Sequence, residues 1–158
     1  MMQSSPTGSQ SLRYLLDTNI ILYPHDASDP ARQARAIEVL RRVGVGPSAA
    51  LPAQALAEFV NVARRKFSPP LDFDTIYRQV SGLARVFPVF PLTPVVILEA
   101  TRGARDYQFA YYDAQIWAIA FLHQIPVVLS EDFNTGAVIE GVEFLNPFTG
   151  TFDLATLS

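Results

Sequence analysis

Short apolar runs alternate with helix-period segments along this chain, and two of those runs lead into an acid. Arg13 to Leu16 is a strand followed by Asp17, and Pro126 to Leu129 is a strand followed by Glu131-Asp132. Ser48 to Leu51, Val89 to Leu92 and Val142 to Leu145 supply further strands. Strands that alternate with helices imply the α/β class, with a central parallel sheet covered by helices. Ligands of such sheets bind outside the carboxyl ends of the strands. Asp17 and Asp132 therefore project to the edge where chemistry collects.

The helices carry their own punctuation. Asp29-Pro30 supplies an N-cap and a proline at the first helical position. The helix from Pro30 to about Val43 is predicted to turn Ala34, Ile37, Leu40 and Val43 inward, and Gly44 and Gly46 end it. Pro52 starts the next helix, with Leu56, Phe59, Val60 and Ala63 as its apolar stripe and Glu58 beside that stripe. Ser68-Pro69-Pro70 stops it. Asp72 caps a third helix with Ile76, Val80, Leu83 and Phe87 inward. Thr93-Pro94 opens a fourth that ends near Arg105, its last turn weakened by Gly103. Tyr112 or Asp113 begins a strongly apolar helix through Ile116, Trp117, Ala120 and Phe121. Helices begin where strands end, so Asp113 can face the same edge as Asp17 and Asp132. Ile20 to Tyr23 is predicted as a buried helical turn broken by Pro24.

At 158 residues the chain forms one domain with a sizeable core. Residues 1–11 are polar and rich in Ser and Gly, which predicts a flexible leader rather than a signal peptide. Residues 12–149 are the expected domain, and 150–158 a C-terminal tail. No apolar stretch approaches the roughly 18 to 20 residues of a membrane-spanning helix. The absence of cysteine excludes disulfides and thiolate chemistry and fits a cytoplasmic protein. A net charge of -3 argues against a basic coat. The basic residues are grouped, Arg32, Arg35, Arg41 and Arg42 in one segment and Arg64, Arg65 and Lys66 in another. Each group is most simply a solvated helix face or a cationic helix end.

Each acid taken singly has an ordinary structural role. Asp113 could cap its helix, Asp132 could make a turn with Phe133-Asn134, Asp17 could brace the turn after its strand, and Glu58 could pair with Arg64 or Arg65. Together, in apolar surroundings where a lone charge is costly, they form a set of carboxylates that would repel one another without a cation. Carboxylate oxygens are hard ligands that suit Mg²⁺ or Mn²⁺ and suit zinc or copper poorly. The histidines, His25 and His123, are too scattered for a histidine metal site. There is no P-loop, no Gly-x-Ser-x-Gly elbow and no His-Glu-x-x-His motif.

The segments Tyr14-Leu15-Leu16-Asp17-Thr18-Asn19-Ile20, Ala55-Leu56-Ala57-Glu58-Phe59, Tyr112-Asp113-Ala114-Gln115-Ile116, Leu129-Ser130-Glu131-Asp132-Phe133 and Val142 to Phe148 follow one another in a characteristic order. In that order the chain resembles the PIN-domain proteins, and among them the VapC-type toxins of toxin–antitoxin pairs. The resemblance spans about residues 13 to 148. It implies a PIN-like three-layer α/β/α fold and an endoribonuclease dependent on Mg²⁺ or Mn²⁺. It also implies Asp17 and Asp113 as the main metal ligands. Glu58 and Asp132 would complete the acidic site, directly or through water, with Thr18 and Asn19 orienting the ligands or a phosphate. Glu131 is a possible substitute ligand. The implied partners are an RNA substrate, a cognate VapB-type antitoxin and a second copy of the chain as a homodimer. A stand-alone RNA-processing nuclease and a non-catalytic binding module are the rival expectations.

Overall fold

The computed structural model describes residues 11–157, so the expected leader lies, except for Ser11, outside the described residues. In chain order the elements are β1 (Tyr14–Leu16), α1 (Thr18–Leu22), a 3-10 turn (Tyr23–His25), α2 (Pro30–Val43), β2 (Ala49–Pro52) and α3 (Ala53–Arg65). There follow α4 (Phe73–Val86), β3 (Val89–Phe90), α5 (Pro94–Tyr107), α6 (Tyr111–Leu122), β4 (Val127–Leu129), β5 (Val138–Ile139), β6 (Val142–Leu145) and a second 3-10 turn (Leu154–Thr156). The sheet order is β3-β2-β1-β4-β6-β5. All pairings are parallel except the edge pair β5–β6, which is antiparallel. The antiparallel edge strand was not evident in sequence, because two residues carry too little pattern to register.

The central strands β1, β2 and β4 are buried on both faces, and alternate side chains serve different layers. Tyr14, Leu16, Ala49, Leu51 and Leu129 enter one core with Ile20, Val39, Phe59 and Ile76 from α1 to α4. Leu15, Ala50, Val128 and Phe144 enter the other with Val96, Ala100, Trp117 and Ala120 from α5 and α6. The result is the expected three-layer α/β/α arrangement.

Local chemistry sets the helix starts. Asp29 accepts from the Arg32 N–H, Asp72 from Thr75, and Thr93 from Val96, so the expected caps form. Four details differ from expectation. Helix α2 buries Ala36, Val39 and Val43 with Leu40 beside them, and Ile37 is left exposed. Both stripes have helical spacing, and the orientation of α2 against α1 chose between them. Pro24 does not break α1 outright, because it sits early in the 3-10 turn, where its missing N–H is tolerated. Helix α5 runs on to Tyr107, and Gly103 makes room for the indole of Trp117 instead of weakening a helix end. A Cβ at Gly103 would come within 2.7 Å of two indole carbons. The C-terminal tail packs back on the domain, with Leu157 buried and Phe152 and Leu154 against the first core. Arg35 fastens it by donating to the carbonyls of Pro147 and Phe152, each at 2.6 Å.

Candidate active site

The strand order reverses direction between β1 and β4, since the chain builds outward from β1 to β3 on one side and from β4 on the other. Such a switch point opens a crevice at the carboxyl ends of the two strands. Asp17 stands at the end of β1 and Ser130 at the end of β4, one step beyond the paired Leu16 and Leu129. The Asp17 N–H continues the ladder by donating to the Leu129 carbonyl at 3.0 Å.

A buried polar network fixes this corner. The Thr18 N–H donates to Asp17 Oδ1 at 2.7 Å, and Ser130 Oγ donates to Asp17 Oδ2 at 2.6 Å. Ser130 Oγ in turn accepts from the Asp132 N–H at 3.0 Å. The Ser130 hydroxyl thus makes a turn of its own that ends at Asp132, whose carboxylate accepts from Asn19 and from no backbone N–H of the expected Phe133-Asn134 turn among the described residues. Asn19 Nδ2 donates to Asp132 Oδ2 at 3.3 Å and lies 3.4 Å from Ser130 Oγ. One side of the crevice is therefore tied from β1 across to the segment after β4.

Helices α3 and α6 supply the other side. Thr18 Oγ1 donates to Glu58 Oε2 at 2.7 Å, and Gln54 Nε2 donates to Glu58 Oε1 at 2.9 Å. Gln54 Nε2 also lies 3.5 Å from the Tyr112 carbonyl, which links α3 to the start of α6. Glu58 is held by these two groups and not by Arg64 or Arg65, which occupy the last turn of α3. Asp113 is the third residue of α6 and does not cap it, because Ala110 holds the N-cap position. Among the described residues its half-buried carboxylate has no hydrogen bond or ion pair.

These carboxylates share one electrostatic field. Burial raises the Asp17 carboxyl to about 6, opposed by the bonds from Ser130 and Thr18 and reinforced by the charges of Asp132 and Glu58. Asp113 is also raised, by burial first and then by Asp132 and Glu58. Glu131 is raised by burial, Asp132 and Asp17. Glu131 turns aside to accept the Tyr23 hydroxyl, whereas Asp132 faces Asn19. No arginine or lysine pairs with Asp17, Glu58, Asp113 or Asp132 among the described residues.

The donor set suits a hard divalent cation. It consists of carboxylate oxygens, and the side-chain oxygen of Asn19 is buried without a partner beside them. Among the described residues no three acids or histidines are drawn close enough to enclose an ion by themselves. That argues against an all-protein cage.

Sequence reasoning did not single out Ser130 and Gln54. Ser130 was visible as the hydroxyl that directly follows Val127-Val128-Leu129, and Gln54 as the residue one helical turn before Glu58.

The PIN domain profile matches residues 14–138. The fold resembles a toxin–antitoxin complex from Klebsiella pneumoniae, with a TM-score of 0.65 at 20% identity over 85% of this chain and 98% of that one. It also resembles VapC20 of Mycobacterium tuberculosis, a sarcin–ricin loop cleaving toxin, with a TM-score of 0.59 at 17% identity over 80% and 97% of the two chains. VapBC2 from Rickettsia felis, bound to a promoter DNA fragment, gives a TM-score of 0.61 at 12% identity over 85% and 98%. No curated protein matches the chain in sequence. With a profile match over most of its length and this sheet order behind it, the chain belongs to the PIN domain family.

Proposed function

We propose that this protein is an endoribonuclease dependent on Mg²⁺ or Mn²⁺, and the toxin of a VapBC-type toxin–antitoxin pair. The carrying observation is the meeting of acids from separate segments at the switch point, with no arginine or lysine paired with them among the described residues. Asp17 and Asp113 would hold the metal, and Glu58 and Asp132 would complete the site directly or through water. A bound cation would keep these carboxylates ionised, lower the pKa of a bound water and polarise a phosphate oxygen.

The chain's own residues prepare that chemistry. Ser130 and the Thr18 N–H fix both oxygens of Asp17. Thr18 and Gln54 fix those of Glu58, and Asn19 orients Asp132. Asp113, with no such bond among the described residues, can adjust to its ligand. The toxin assignment draws on the fold neighbours that are toxin–antitoxin proteins. It brings with it a VapB-type antitoxin, an RNA substrate, a homodimer and a cytoplasmic setting. Among the described residues no helix is long and apolar enough to cross a membrane.

The test is cleavage of total cellular RNA by the purified protein with Mg²⁺ or Mn²⁺, with EDTA, and beside Asp17→Asn. Discrete fragments that require both the metal and Asp17 are expected. A folded protein that leaves RNA intact with either metal would overturn the nuclease and favour a binding module. Co-purification with the product of an adjacent small reading frame tests the antitoxin.

A further inference from the structure

The twelve basic residues serve different ends, and few are placed to meet a substrate at the acidic edge. Arg41 and Arg42 are tied to Glu38 at 2.6 to 2.9 Å, at the far end of α2. Arg102 bridges Glu99 and Glu140, and Arg105 holds Asp106. Arg35 is occupied by the two carbonyls of the C-terminal segment. The cations of the last turn of α3 lie roughly 10 Å along the axis beyond Glu58, at 1.5 Å per residue.

Arg32 differs from these in position and in bonding. It belongs to the first turn of α2, and α2 begins on the side of the sheet where β1 ends. Its guanidinium carbon lies 4.8 Å from the centre of the Tyr23 ring. The Tyr23 hydroxyl donates to Glu131, the neighbour of Asp132, so Arg32 stands beside the carboxylate site with one ring between. Its contacts with acids are loose, 3.6 Å to Asp29 and 4.0 Å to Glu131. Both exceed hydrogen-bond length, and the side chain is 43% exposed. The Tyr23 ring therefore holds the guanidinium by a cation–π contact while its N–H fork stays available. Arg32 also lines a cavity of about 370 Å³ together with Asp29, Ala31, Arg35, Phe148, Thr149 and Gly150. Phe148, which lines that cavity, packs edge-on against Tyr23 with ring centres 5.2 Å apart.

This arrangement fits a phosphate. A planar guanidinium offers a fork that matches two phosphate oxygens, and stacking removes much of the entropy lost on binding. Charge-assisted bonds of about 2.7 to 2.9 Å would replace the two long carboxylate contacts. We propose that Arg32, laid on Tyr23 beside the Phe148 cavity, binds a backbone phosphate flanking the scissile one, so that RNA leaves the acidic edge over the first turn of α2. This inference rests on the ribonuclease reading above. It adds the direction of the strand across the site and a residue that contributes affinity and not chemistry.

The test uses the full chain and a labelled mixed-sequence single-stranded RNA. Binding is measured across a salt series in the Asp17→Asn background, alone and combined with Arg32→Ala, Arg32→Lys or Arg41→Ala. Arg32→Ala is expected to weaken binding roughly tenfold at low salt and to reduce the slope of log affinity against log salt by about 0.7, one phosphate contact on a single strand. Arg32→Lys should keep part of the slope because it keeps the charge, and Arg41→Ala should change neither quantity. In the active protein Arg32→Ala should raise KM and leave kcat within about twofold. If Arg32→Ala matches Arg41→Ala in affinity and slope while the wild type cleaves RNA, the phosphate site is wrong and the nuclease stands. If the wild type neither binds nor cleaves RNA, the nuclease reading fails and takes this inference with it. Should Arg32→Ala lose its fold by melting curve, Arg32→Gln, which keeps the stem and drops the charge, decides, and an unchanged affinity and slope there overturns the proposal.

Discussion

Acids in this protein are held in two opposite ways. Around α5, Glu99 and Glu140 each meet Arg102 at 2.9 Å, and Asp106 meets Arg105 at 2.7 Å. The arginine bonds hold Glu140 and Asp106 below their ordinary carboxyl range. At the carboxyl edge of the sheet Asp17 and Asp113 are pushed upward, by burial and by other carboxylates. The first group neutralises itself on the surface. The second is brought together by the fold against its own repulsion, and in the reading proposed above a divalent cation would supply the opposing charge. The same residue type is thus paired with arginine in one place and set among other carboxylates in the other.

The sharpest way to break that contrast is Asp17→Asn. Cleavage should fall by roughly 10²- to 10³-fold, the range for losing one preorganised electrostatic group, while the domain stays folded because the amide oxygen still accepts one of the two bonds and a buried charge is removed. Retained cleavage in a clean preparation would mean that Asp17 is as structural as Glu140.

The next effect is on stability against pH in metal-free buffer. Burial raises the folded Asp17 carboxyl from 3.8 to about 6. A raised folded value gives stability that is complete below the unfolded value and is lost as pH rises through about 6. The loss amounts to about 3 kcal/mol at most. Asp17→Asn should therefore gain on the wild type in urea denaturation as pH climbs from about 4 to 7. A gap that does not change over that range would remove the electrostatic strain inferred here.

A divalent cation should relieve that strain. Mg²⁺ or Mn²⁺ at about a hundred times its dissociation constant would stabilise the wild type by about 2.7 kcal/mol. The rise in Tm should shrink in Asp113→Asn and vanish in Asp17→Asn. Equal rises in all three would place the cation elsewhere. The smallest effect belongs to the self-neutralised group. Arg102→Ala should lower Tm by no more than a few degrees and leave cleavage unchanged.

Much of the architecture was legible in the chain. The caps at Asp29, Asp72 and Thr93 are local hydrogen bonds that a few residues decide, and they formed where expected. The inward face of α2 was not legible, because Ala34-Ile37 and Ala36-Val39 both recur at helical spacing and only packing against α1 selects one. Ser130 and Gln54 were passed over for a related reason. A hydroxyl or an amide has no sequence signature until its partner, 113 residues away for Ser130, is brought within hydrogen-bond reach.

Sequence by itself determined that strands and helices alternate and that Asp17 and Asp132 follow strands, because those are properties of short windows of chain. Tertiary structure alone decided that β1 and β4 lie side by side at a reversal of strand order. That reversal opens the crevice, buries Asp17 under Ser130, and brings Glu58 and Asp113 into its field. Electrostatic repulsion acts through space and not along the chain, so the site exists only once the sheet has closed around it.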